Sequence, residues 1–146
     1  MKHLVLALLV AAPPLAAQPA QGWALLTGAS ISETLVDTAD GPTYRLDKTF
    51  PPDLVAAADS FEIQGHLVPM EARAQLDRFT LVPDPANCPF CGNSGYGPSL
   101  QVHMKRALPD LPEGTLLVLK GRLELNRGPD TFEMYRLVDA QRIAPE

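Results

Sequence analysis

From Ser60 onward the chain alternates apolar and polar residues in short runs, and two of those runs carry a glycine in the middle. Phe61-Glu-Ile-Gln-Gly-His-Leu sets Phe61, Ile63, Gly65 and Leu67 on one face, with Glu62, Gln64 and His66 on the other. Leu76 to Val82 repeats the pattern with Phe79 and Leu81 on its apolar face, and Ser99 to Met104 repeats it with Leu100, Val102 and Met104 inward. Thr115 to Leu125, interrupted by Gly121, is the most apolar run, and Thr131 to Ile143 follows a turn at Asn126 to Asp130. Glycine inside a strand marks a bulge or a corner, so Gly65 and Gly121 predict a sheet bent hard enough to close. The expectation is a mainly β protein: a small five-stranded OB-like barrel over 61–146.

Residues 18–60 read as an N-terminal arm packed on that barrel, containing short helical turns. Trp23, Leu25, Leu26 and Ile31 suggest a short amphipathic turn, which Gly28 and Ser30 keep from becoming a long helix. Asp40-Gly41-Pro42 signals a turn before a short strand at Thr43 to Leu46, and Pro51-Pro52 opens one or two helical turns over Asp53 to Ala58. Fifteen prolines and ten glycines in 146 residues are consistent with short elements and many turns.

The first seventeen residues have the pattern of a signal peptide. Lys2 supplies the positive start, Leu4 to Ala12 the apolar core, and Leu15-Ala16-Ala17 a small-residue cleavage site. An apolar core of that length falls well short of the ~20 residues that cross a bilayer, so the expectation is a soluble periplasmic protein without membrane insertion. Removing Lys2 moves the formal charge from −5 to −6, and no basic run exceeds Lys105-Arg106. A binder of nucleic-acid backbones is therefore not expected.

Between the second and third strands lies Asn87-Cys-Pro-Phe-Cys-Gly-Asn-Ser-Gly-Tyr-Gly-Pro98, holding the only two cysteines, Cys88 and Cys91. Three readings compete for them. Cys-Pro-x-Cys-Gly has the form of a metal knuckle, but one knuckle supplies two of the four ligands a tetrahedral ion wants. His66 and His103 are the candidate further ligands, with Asp84 or a second subunit as other sources. Zinc fits such a set, and Cu(I) would accept two thiolates with Met70 or Met104 near. The second reading is thiol–disulfide exchange, since Cys-Pro-Phe-Cys resembles a glutaredoxin site. Gly92 to Pro98 cannot start the helix that lowers a catalytic thiol's pKa, and no βαβ pattern surrounds it. The third is a disulfide that stiffens the loop, worth the low end of the usual ~2–4 kcal/mol because the ring is short. The metal site and the disulfide stand level, both above catalysis, and no enzymatic constellation is recognisable. Trp23 and Tyr96 suit a stacking platform, but burial of Trp23 under the arm fits better. Glu62 and Glu71 read as surface acids.

Gly65-His-Leu-Val-Pro-Met-Glu, Phe79-Thr-Leu-Val-Pro, the cysteine loop, Gly121-Arg-Leu-Glu and Tyr135-Arg-Leu together resemble a family of exported bacterial proteins of unknown function with an OB-like barrel. The resemblance covers the part of the chain from Ser60 on. Its commoner members carry a Cys-x-His and polyproline loop where this chain has Cys-Pro-Phe-Cys-Gly. Some members sit beside transition-metal transport genes. The resemblance thus implies an accessory role in metal handling, with a cell-envelope transport or assembly protein as partner. The alternative from the residues themselves is a structural or protein-interaction module.

Overall fold

The structure is a computed structural model and describes residues 21–71, 74–85 and 98–143. The expected leader over 1–17 lies outside the described residues. Among the described residues no helix is long and apolar enough to cross a membrane.

The arm begins with helix α1 (Gly22–Thr27), followed by strands β1 (Ser30–Thr38) and β2 (Gly41–Thr49). Helix α2 (Pro52–Ala57) and a 3-10 turn at Ala58–Ser60 then lead into the barrel. The barrel strands are β3 (Phe61–Pro69), β4 (Gln75–Val82), β5 (Leu100–Pro109), β6 (Leu116–Leu125) and β7 (Tyr135–Arg142). They close in the order β3-β4-β5-β7-β6, with β5 and β7 parallel and every other pair antiparallel. The mainly β, five-stranded barrel expected from the alternating runs is present.

Its interior holds the predicted faces of β3, β4 and β5. Phe61, Ile63, Leu67, Leu76, Phe79, Leu81, Leu100, Val102, Leu117, Leu119, Leu123, Leu137 and Ala140 form one buried cluster, and Met104 packs against it. Burying each large side chain fully is worth about 1.5–3 kcal/mol, so this cluster dominates the fold's stability. The arm adds Leu26, Phe50 and Leu54 to the same cluster. Trp23 is held against β3 by its indole N–H, which donates to the Gln64 carbonyl at 2.7 Å.

Closure depends on an extra residue in β7. Between Val102 and Met104 of β5, and again between Lys120 and Arg122 of β6, two steps oppose three steps of β7. The bulge falls at Asp139, the one non-glycine residue with positive φ among those described, at 53°. It shifts the inward side chain from odd to even numbering, so that Leu137 and Ala140 both reach the core. The bulged backbone presses on β6 at Gly121, where a Cβ atom would lie 2.7 Å from the Val138 carbonyl oxygen and 3.1 Å from the Ala140 Cα. Gly65 is equally confined, by the Leu81 side chain and the Val82 carbonyl oxygen at 2.7 and 2.8 Å. Both glycines sit at close approaches of neighbouring strands. The bulge itself is on the facing strand.

Two expectations need correction. The arm holds a full β-hairpin where only a turn and a short strand were expected. β1 and β2 pair over all nine positions, and Gly41, at φ 113°, closes the turn. The signal is weak because β1 buries no residue, so no apolar face marks the strand. β2 buries only Leu46, and it is tied down through the Leu46 N–H to the Pro129 carbonyl at 3.1 Å and Lys48 Nζ to the Glu133 carbonyl at 2.7 Å. The last strand starts at Tyr135, four residues later than the alternation suggests. Residues 126–134 form a loop, closed by Asn126 Oδ1 accepting the Gly128 N–H and Thr131 Oγ1 accepting the Glu133 N–H.

The bulge and the facing glycine make opposite demands. Gly121→Val should destabilise the protein by about 1–3 kcal/mol or more, because the backbone atoms it meets cannot move aside. Asp139→Gly should leave stability unchanged or raise it, since glycine adopts positive φ without cost. Denaturant titration of both variants checks this. An Asp139→Gly loss as large as that of Gly121→Val would show that the bulge is held by the aspartate side chain.

Candidate functional site

The cysteine loop leaves the barrel after Val82 and returns at Leu100, and its two stems are adjacent, with Leu81 opposite Leu100. Cys88, Cys91 and Tyr96 lie outside the described residues. What the structure gives is the floor of barrel wall on which the loop's two stems end.

His66 belongs to that floor. It stands on the outer side of β3, directly opposite Val82, the last residue of β4 before the loop, and opposite Leu116, the first of β6. Beside it, Val68, Thr80 and Val82 are buried although they sit on the outward face of the barrel wall. The imidazole is half-buried, and its Nδ1 lies 3.0 Å from the Gly114 carbonyl oxygen. A carbonyl oxygen only accepts, so Nδ1 carries a proton, and in the neutral tautomer that this contact selects, the lone pair is on Nε2.

The connection after β5 supplies this clamp. Leu111 packs against the core, Thr115 Oγ1 donates to the Pro112 carbonyl at 2.6 Å, and Gly114 turns the chain at φ 78°. Gly114 N–H then donates to the Leu67 carbonyl at 2.8 Å and Leu67 N–H to the Thr115 carbonyl at 2.9 Å. The strand backbone and the histidine ring are thus tied to the same turn.

His103 is in a different place and a different field. It sits on β5 opposite Arg78 of β4, half-buried, with Arg136 near on β7. Burial first, then the charges of Arg136 and Arg78, hold its pKa below the usual value, against a smaller opposing pull from Glu133 and Glu124. Arg136 itself is gripped by Glu133, with Nε and Nη2 donating to Oε1 at 2.9 and 2.7 Å and Nη2 to Oε2 at 2.6 Å. Two guanidinium groups make a poor neighbourhood for a metal cation.

The two histidines do not converge. His66 is level with Val82 of β4 and His103 with Arg78, on strands that flank β4. Four residues along the strand and two interstrand spacings put their Cα atoms roughly 16 Å apart, too far to share one ion. Met70, exposed at the end of β3, and Met104, packed on the core, are likewise apart. Glu62 pairs with Lys120 at 2.6 Å, as expected of a surface acid. Among the described residues no three of His, Cys, Asp and Glu are grouped to hold a metal.

The sequence reading missed the ion-paired cleft beside the last loop, a space of about 460 Å³ lined by Asp59, Arg122, Glu124, Asn126, Glu133 and Arg136. Arg122 meets Glu124 at 3.1 Å and Asp139 at 3.9 Å, and Arg136 is taken by Glu133. Opposite charges at 122 and 124 and at 133 and 136 were the available signal. Both arginines of the cleft are therefore ion-paired.

The field around His103 has a measurable consequence. Its folded-state pKa lies below the unfolded value, so the fold favours the neutral ring. That contribution is complete above about pH 6.5 and is lost as the pH falls toward the folded value. Acidification from about pH 7 to about pH 5 should therefore destabilise the wild type more than His103→Gln, as read by denaturant titration. Equal losses in the two proteins would contradict the assignment. Comparison of the chain with family models, with curated proteins and with solved structures gives no match in any of the three.

Proposed function

We propose that this is an exported binding module that holds a transition metal, zinc or copper, between Cys88, Cys91 and His66, in support of metal transport or assembly in the cell envelope. The observation that carries the reading is the state of His66. It is oriented through an Nδ1–H bond to a backbone carbonyl, the arrangement that presets a histidine to bind metal through its other nitrogen. It also stands opposite Val82, the last residue of the strand that leads into the cysteine loop, and Val82 is six residues before Cys88. His103, among arginines and far from His66, is left out of the site.

The ligand set suits the chemistry. Two thiolates and one imidazole satisfy zinc with a fourth position for water or a partner's group, and the same soft set suits Cu(I). The signal-peptide pattern and the resemblance to exported proteins found beside metal-transport genes support the compartment and the partner class. The second reading is a loop disulfide in a structural or interaction module, which the oxidising periplasm favours. Thiol oxidoreduction ranks below both, for lack of a helix start at Cys88 in the sequence.

Zinc titration of the reduced protein against a chromophoric chelator tests the proposal. Uptake should release protons as the thiols ionise. Cys88→Ser/Cys91→Ser should abolish it, His66→Ala should weaken it by at least about tenfold, and His103→Ala should leave it unchanged. No uptake by the reduced protein, with an intact Cys88–Cys91 disulfide in the protein as isolated, would leave the disulfide reading. Uptake indifferent to His66→Ala would remove His66 from the site.

A further inference from the structure

The hairpin leaves one edge of β1 without a strand neighbour among the described residues, since β1 and β2 form a sheet of two. Eight of its nine residues are exposed. A two-stranded hairpin is marginal in water, yet this one is paired along its full length and anchored through β2, so β1 is presented as a rigid edge.

The side chains on that edge follow a rule. Ile31, Glu33, Leu35 and Asp37 share one face, so apolar and acidic groups alternate along it, with Ile31 and Leu35 36% and 59% exposed. Ser30, Ser32, Thr34, Val36 and Thr38 make the other face, all small or β-branched and uncharged. Opposite the first face, β2 supplies Lys48, Leu46, Tyr44 and Pro42. The one cation there, Lys48, is bonded to the Glu133 carbonyl. Among the described residues Glu33 and Asp37 form no salt bridge.

A second copy of the chain is a poor occupant of this edge. In a two-fold antiparallel pairing, setting Leu35 against its copy also sets Glu33 against Asp37. Setting Ile31 against Leu35 sets Glu33 against Glu33. Like charges directly opposite destabilise a strand pair, so both registers that seat Leu35 on Leu35 or Ile31 of the copy carry an acid clash.

We propose that the free edge of β1 takes an extended segment of a partner protein, added as a third strand, in which basic and apolar side chains alternate on one face. Backbone hydrogen bonds supply the attachment and the alternate side chains supply selectivity. A lysine or arginine opposite Glu33 and another opposite Asp37 would provide the counter-ions that the hairpin lacks, while apolar groups cover Ile31 and Leu35. The surface is remote in sequence from the cysteine loop, and this proposal stands whether or not that loop binds metal.

The probe is a capped nine-residue peptide with threonine at every even position and lysine and valine alternating between, matched to the length of β1. Amide hydrogen exchange of the full protein is followed with this peptide and with its glutamate-for-lysine counterpart. The lysine peptide should slow exchange at residues 30–38, and the glutamate peptide should not. Glu33→Gln/Asp37→Asn should weaken the effect by about five- to tenfold, the scale of two exposed ion pairs. Glu33→Lys/Asp37→Lys should reverse the preference between the peptides. Protection elsewhere, no protection, or equal protection by both peptides would overturn the proposal. So would sedimentation showing that the protein alone dimerises through β1.

Discussion

The barrel rests on the close approach of β6 and β7 at Gly121. β7 must pair with β6 on one side and, in parallel, with β5 on the other, and those two strands run in different directions around the wall. The extra residue at Asp139 bends β7 enough to serve both. The bend drives the Val138 carbonyl and Ala140 into space that any side chain at 121 would fill. Gly65 plays the matching part on β3, against Leu81 and Val82. A closed sheet has no free barrel edge, so among the described residues the open strand edge belongs to the hairpin outside it.

That closure also sets the chemistry of the outer wall. It brings the start of β6, the end of β4 and the middle of β3 to one level, which is where His66 meets the turn at Gly114. Along the wall, the parallel β5–β7 seam aligns Gln101 with Arg136, and the antiparallel β4–β5 pairing sets Arg78 against His103. Two histidines with similar sequence surroundings thereby have different neighbours. One is oriented by a neutral carbonyl near a thiol-bearing loop. The other is kept neutral by burial and by arginines.

Most of the barrel was legible because its strands bury one face, and alternation records burial directly. Phe61, Ile63, Phe79, Leu100 and Val102 fall inside as the pattern requires. The close approaches at 65 and 121 were legible as glycines, since only a missing side chain tolerates such proximity. The hairpin was hard to read for the converse reason: β1 buries nothing, so its β-branched residues carry no phase. The Asp139 bulge was invisible because aspartate at positive φ has no sequence pattern of its own. At the candidate site, the spacing of Cys88 and Cys91 left a metal site and a loop disulfide level. The choice between the two histidines depended on strand register and on the Gly114 contact, which are long-range facts that no local window holds.

Native-state amide hydrogen exchange, read strand by strand without added ligand, tests the closed barrel most directly. If the β7 bulge joins β5 to β6 in one cooperative unit, amides at Val102, Leu119 and Leu137 should exchange together, only through global unfolding. The β1 amides on the open edge should exchange far sooner. Exchange at the β5–β7 seam well ahead of β3, β4 and β6 would contradict the account, and would mean that the sheet is open where the structure closes it.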